Sequence, residues 1–114
     1  MHLHLYGIRN CDSCRRAVKW LRLNDLPHTM HDFREEGLSR EAVDAWLASP
    51  HGPMLLNRRS TTWRQLSAVQ KKAAERDPAP LIVEHPTLLK RPLITDGANI
   101  VAVGFDPSRM EQCI

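Results

Sequence analysis

The period of the apolar residues changes abruptly within the first quarter of the chain, and this constrains the fold more than any other feature. His2 to Tyr6 alternates polar and apolar residues, the signature of a half-buried strand. Gly7-Ile8-Arg9-Asn10 reads as a loop by composition. Cys14, Ala17, Val18 and Leu21 then recur at i, i+3, i+4 and i+7, the apolar stripe of a helix whose other face carries Arg15, Arg16, Lys19 and Arg22. Asn24 and Pro27 end that helix, and His28 to Phe33 reads as a second strand. A strand, a helix and a strand in so short a span are about the minimum for a right-handed parallel crossover.

The rest of the chain adds a helical middle and a β-rich end. Ser39 is placed as an N-cap, with Leu38 and Val43 as a hydrophobic staple across it and Val43, Trp46 and Leu47 as the buried face. Thr62-Trp63-Arg64-Gln65 has the capping-box pattern and predicts one helix continuing through Leu66, Val69 and Ala73 to about Glu75. Between Asp77 and Leu89, Leu81-Ile82-Val83 fits a strand and Pro80 fits the start of a short helix, so both assignments stand. Leu93-Ile94-Thr95 and Ile100 to Val103 flank Asp96-Gly97-Ala98-Asn99, a hairpin signal, and Asp106-Pro107 caps a final helix. There is no internal repeat, low-complexity stretch or linker.

At 114 residues the chain is expected to be one domain able to bury its own core. Three cysteines are an odd number and do not make a disulfide framework. The longest apolar runs are short, as in Ile100-Val101-Ala102-Val103, and the first residues do not read as a targeting peptide. The expected compartment is therefore the reducing cytosol, with no membrane association. Sixteen basic and thirteen acidic residues give +3, which permits an anionic ligand without demanding nucleic acid. No aromatic residues interleave with the basic ones as a nucleic-acid surface requires, and Trp20, Trp46 and Trp63 stand at helical packing positions.

Chemistry concentrates in Asn10-Cys11-Asp12-Ser13-Cys14-Arg15-Arg16. Cys11 lies where a loop enters a helix, so unpaired amide donors and the positive helix end favour thiolate over thiol. Arg15, one turn on, adds a cation. The arrangement matters because thiolate is the nucleophile, and an ordinary thiol, with a pKa of roughly 8.5, is mostly protonated near neutrality. Cys14 completes a C-x-x-C pair within a βαβ unit, the spacing of a thioredoxin-like redox motif. Cys14 also falls on the apolar stripe, so it reads equally as a resolving thiol or as a core residue. A zinc site would need a second ligand pair, and only Cys113 and scattered histidines are available, so no metal is expected. His2 and His4, with His28 and His31 on the neighbouring element, read as a solvated strand face, and Cys113 as an inert tail residue.

Four segments carry a resemblance that covers essentially the whole chain: the Cys11 loop with Arg15; Leu55-Leu56-Asn57-Arg58-Arg59; His85 to Ile94, which includes Lys90-Arg91-Pro92; and Val103-Gly104-Phe105. With these the chain resembles the arsenate reductase (ArsC)/Spx/YffB family. The resemblance implies an α/β, thioredoxin-like fold with a mixed four-stranded sheet. The thioredoxin-fold parts would be about 1–35 and 86–114, with a helical insertion at about 38–85. It further implies Cys11 as the active thiol, Arg91 as an anion-holding side chain and a cis Pro92 beside the cysteine. Arg58 and Arg59 would be brought near the thiol, with Asn57 in the first of three anion-binding slots.

Departures from the family pattern set the branch. Arsenate reductases of this type carry three arginines around the cysteine, and here the first slot is Asn57 while residues 99–103 hold no basic residue. Each missing charge-assisted contact is worth roughly 1.5–3 kcal/mol to an oxyanion, which argues against arsenate reduction. Thr61 to Leu66 is similar to the YffB branch, whose resemblance implies glutathione as co-substrate, its carboxylates held by Arg91 and Arg59. The C-x-x-C-R pattern is similar to Spx, a redox-switched regulator that binds RNA polymerase, and that is the second reading.

Overall fold

The computed structural model describes residues 1–113, with side chains through residue 112. The chain runs β1 (Leu3–Gly7), α1 (Asp12–Leu23), β2 (His28–Asp32), α2 (Phe33–Glu36) and α3 (Arg40–Ala48). It continues through α4 (Thr61–Gln65), α5 (Ala68–Arg76), α6 (Ala79–Glu84), β3 (Leu93–Thr95), β4 (Ile100–Val103) and α7 (Pro107–Cys113). Two compact units result: one of residues 1–36 and 91–114, the other of residues 37–90.

The first unit is a four-stranded mixed sheet in the order β2-β1-β3-β4. β1 pairs in parallel with β2, Leu5 against Met30, and antiparallel with β3, Leu5 against Ile94. β3 and β4 form the expected hairpin, whose turn is tied by Asp96 Oδ1 accepting from the backbone N–H groups of Ala98 and Asn99. The alternation along β1 sends Leu3, Leu5 and Gly7 to one face. Leu3 and Leu5 share a core there with Ala17 and Leu21 of α1, Ile94 of β3 and Met110 of α7, all fully buried. Burying each large aliphatic side chain contributes roughly 1.5–3 kcal/mol, so this stripe fixes α1 on the sheet. α1 ends with Asp25 at positive φ and with Leu26 N–H donating to the Leu21 carbonyl, which satisfies the last turn.

The other face of β1 carries an aromatic row. Tyr6 stacks on His31, His31 on His4, and His4 Nδ1 lies 2.9 Å from His31 Nε2. Burial, together with the charges of His31 and His2, lowers the pKa of His4. No group of three His, Cys, Asp or Glu side chains among the described residues is placed to hold a metal ion. Nor is any helix among them long and apolar enough to cross a membrane.

The second unit is helical. Ser39 caps α3 by accepting from Ala42 N–H, and Leu38 and Val43 are both buried. The single helix predicted from Thr62 is instead two. Ser60 caps α4, Leu66 leaves it in an extended conformation, and Ser67 with Gln70 forms the capping box that starts α5. Val69, expected on the apolar stripe, is therefore exposed, while Leu66 is buried. The ambiguous segment is helical at α6, where Ile82 is fully buried. Leu56 and Leu89 form an isolated antiparallel bridge, flanked by Asn57 N–H donating to the Leu88 carbonyl and Lys90 N–H to the Leu55 carbonyl.

Candidate active site

Cys11 is the N-cap of α1, in an extended conformation (φ −126°, ψ 127°), and its carbonyl accepts from Arg15 N–H. Its sulfur is half-buried. Burial alone would raise its pKa. The Cys14 backbone N–H, the Cys14 thiol and the Arg91 guanidinium all donate to it, and together with the positive charge of Arg91 they hold the thiol below its ordinary value. This is the first turn of a helix put to use: an amide without a partner inside the helix, that of Cys14, donates to the sulfur.

Cys14 is its opposite. Burial, and then its position beside Cys11, push its pKa up to about 12, although the Ile8 N–H donates to its sulfur. It is 1% exposed and lies on the same α1 face as Ala17 and Leu21. Cys14 is thus packed as a core residue and at the same time bonded to Cys11 as a hydrogen-bond donor.

Gly7 makes room for it. A Cβ on Gly7 would lie 2.5 Å from Cys14 Sγ and 3.6 Å from Arg91 Cβ, so only glycine lets that sulfur sit against the end of β1. Asp32 steadies the same corner. It is buried at the end of β2, where it accepts from the backbone N–H groups of Arg9 and Arg34 at 2.9 Å each. The Arg9 bond anchors the loop that leads to Cys11. Sequence reading passed over both residues: Gly7 looks like ordinary loop composition, whereas Asp32 ahead of Phe33-Arg34 does carry a capping signal that marks it.

Arg91 precedes a cis peptide bond to Pro92, which is buried, and the Pro92 carbonyl accepts from Gly104 N–H. Arg15, placed by helical spacing one turn from the thiol, donates instead to Asn10 Oδ1 at 3.1 Å. The guanidinium bonded to the sulfur is therefore that of Arg91. In the second unit, Arg58 is held by a two-pronged pair with Glu75, both contacts 2.7 Å, and lies over the Trp63 ring. Asn57 Oδ1 accepts from Arg59 N–H. Asn57, Arg58, Arg59 and Lys90, with Leu56, line a shallow cavity of about 370 Å³ there. Cys113, expected to be inert, lies outside the described side chains.

The ArsC family model matches residues 6–113. An uncharacterised protein of Haemophilus influenzae is 36% identical over 103 residues, covering 90% of each chain. The global transcriptional regulator Spx of Staphylococcus aureus is 26% identical over 110 residues, covering 95% of this chain and 83% of Spx. A solved protein named YffB superposes with a TM-score of 0.89 at 34% identity, covering 97% of both chains. The match over nearly the whole chain, on a mixed sheet with a cysteine at the start of α1, places this protein in the ArsC family.

Proposed function

We propose that the protein is a thiol–disulfide reductase of the reducing cytosol that uses glutathione, with Cys11 as nucleophile. The observation that carries this reading is the convergence of three donors, Cys14 N–H, Cys14 S–H and the Arg91 guanidinium, on the Cys11 sulfur. In the first step the Cys11 thiolate attacks one sulfur of a disulfide. A Cys11–substrate disulfide forms, the original S–S bond breaks, and the leaving thiolate takes a proton from water. A second thiolate, from glutathione or from Cys14 once deprotonated, then attacks the Cys11 sulfur and releases the other half of the substrate as a thiol. On the glutathione route a second glutathione thiolate attacks the glutathione sulfur of the Cys11 mixed disulfide, freeing the Cys11 thiol and leaving oxidised glutathione. On the Cys14 route two glutathiones in turn reduce the Cys11–Cys14 disulfide to two thiols. Either way two glutathiones are oxidised for each disulfide reduced. Arg91, beside the Cys11 sulfur, supplies donors for a glutathione carboxylate. Residues 99–103 offer no third cation, which favours a disulfide over arsenate as substrate.

Incubation with oxidised glutathione followed by mass spectrometry tests the reading. A single adduct on Cys11, lost in Cys11→Ser, is expected; wild-type protein with no adduct on Cys11 would refute it. A second reading is favoured by the similarity to Spx along nearly the whole chain: oxidation of the Cys11–Cys14 pair alters a surface that engages RNA polymerase. Redox-dependent retention of polymerase subunits, without glutathione-dependent turnover, would select it.

A further inference from the structure

Arg15, Lys19 and Arg22 fall at i, i+4 and i+7 of α1, so their side chains rise from one face of the helix. Together with Arg9 they rim a groove of about 360 Å³ that is floored by Cys14, Val18 and Met30. Arg9 is neutralised by Glu35, and Arg15 donates to an uncharged amide, Asn10. Lys19 and Arg22 are exposed and make no ion pair among the described residues. Three uncompensated cations therefore stand in a row. Like charges at this spacing destabilise a helix, and a ligand that brings several negative charges relieves them. From Arg15 to Arg22 the row covers about 10 Å of helix axis, the length of three to four residues of extended chain. Val18 and Met30 are half-buried and offer an apolar floor that a small hydrophilic anion does not use.

We propose that this groove docks an acidic, extended segment of a partner protein. Its carboxylates meet Arg15, Lys19 and Arg22, and one apolar side chain seats on Val18 and Met30. The partner's disulfide would then be presented to Cys11, and in this respect the proposal rests on the thiol chemistry proposed above. The docking is electrostatic in origin and falls steeply with salt.

Fluorescence anisotropy with a fluorescein-labelled peptide Glu-Asp-Leu-Glu-Asp-Glu and full-length Cys11→Ser protein tests docking without thiol chemistry. Saturable binding is expected, weakening at least tenfold between about 50 and about 300 mM salt. Lys19→Gln/Arg22→Gln should weaken it at least tenfold at low salt, whereas Lys72→Gln on α5 leaves it unchanged. Absence of saturation at low salt, equal affinity in the Lys19/Arg22 variant, or equal binding of a lysine-rich peptide would overturn the proposal. So would full displacement by reduced glutathione at the peptide's own concentration, which would mark a small-anion site. Because Cys11 is absent from this assay, docking and thiol chemistry fail separately.

Discussion

Gly7 lies against Cys14: a single methyl group added at Gly7 would stand 2.5 Å from the Cys14 sulfur. The sulfur is itself fixed by the Ile8 N–H and by its bond to Cys11, so it has little freedom to retreat. Gly7→Ala is therefore expected to cost about 1–3 kcal/mol through overpacking, and to raise the Cys11 pKa by disturbing its thiol donor. Denaturant unfolding of Gly7→Ala, Cys14→Ala and the double variant checks this. The double variant should be less destabilised than the sum of the two singles, because removing the sulfur removes the collision.

Cys14 carries two roles that substitution can separate. In Cys14→Ala the Cys11 sulfur loses a side-chain donor but keeps the backbone one, so its pKa rises. Cys14→Ser restores a donor and should bring the pKa back down, yet no Cys11–Cys14 disulfide can form. Thiol titration of the three proteins, with mass spectrometry after mild oxidation, would show whether acidity and disulfide formation part in this way.

Arg91 supplies both a hydrogen bond and a positive charge to Cys11. Arg91→Met is expected to raise the Cys11 pKa, so that alkylation at neutral pH slows while the rate at high pH is unchanged. Arg15→Met, whose native guanidinium bonds Asn10, should leave the midpoint of that profile in place. Rates of iodoacetamide labelling against pH distinguish the two.

Asp32 links stability to pH. The backbone N–H of Arg9 first, and then that of Arg34, holds its carboxyl below the usual aspartate range against the opposing effect of burial. A carboxylate lowered on folding stabilises the protein above its unfolded pKa of roughly 3.9, and this contribution is lost as pH falls through the folded value. Asp32→Ala should cost about 1 kcal/mol at neutral pH, as removal of a helix cap does, and flatten the acid side of the stability curve. Urea midpoints of wild type and variant between neutral and acid pH would check it; parallel curves would deny Asp32 this role.

Strands β1, β3 and β4 and helix α1 were legible because their signals are local: alternation in β1, the apolar stripe of α1 and the Asp96-Gly97 turn. The order of the strands in one mixed sheet, which pairs β1 with the distant β3, was implied only by the family resemblance. The helical middle was not legible in this way. Ser60, Thr62 and Ser67 all offer caps within eight residues, and pattern alone does not decide between Thr62 and the Ser60 and Ser67 actually used. At the site, the position of Cys11 followed from the change of period. The cation bonded to it did not, because helical spacing fixes where a long side chain begins and not where its guanidinium ends. Arg15 reaches back to Asn10, and the sulfur is bonded instead by Arg91, some eighty residues away in sequence, which the family resemblance implied and spacing did not. Gly7 was invisible for a related reason: its importance lies in a sulfur seven residues on, across a helix–strand contact.

The reactivity of the individual cysteines against pH, read by alkylation and peptide mass spectrometry on the folded protein, tests the central claim most directly. Cys11 should label with a midpoint below that of a free thiol, roughly 8.5. Cys14, with its pKa pushed up to about 12, should stay unlabelled through the neutral range until the protein is unfolded. A Cys11 midpoint at or above the free-thiol value, or Cys14 reacting ahead of Cys11, would contradict the account.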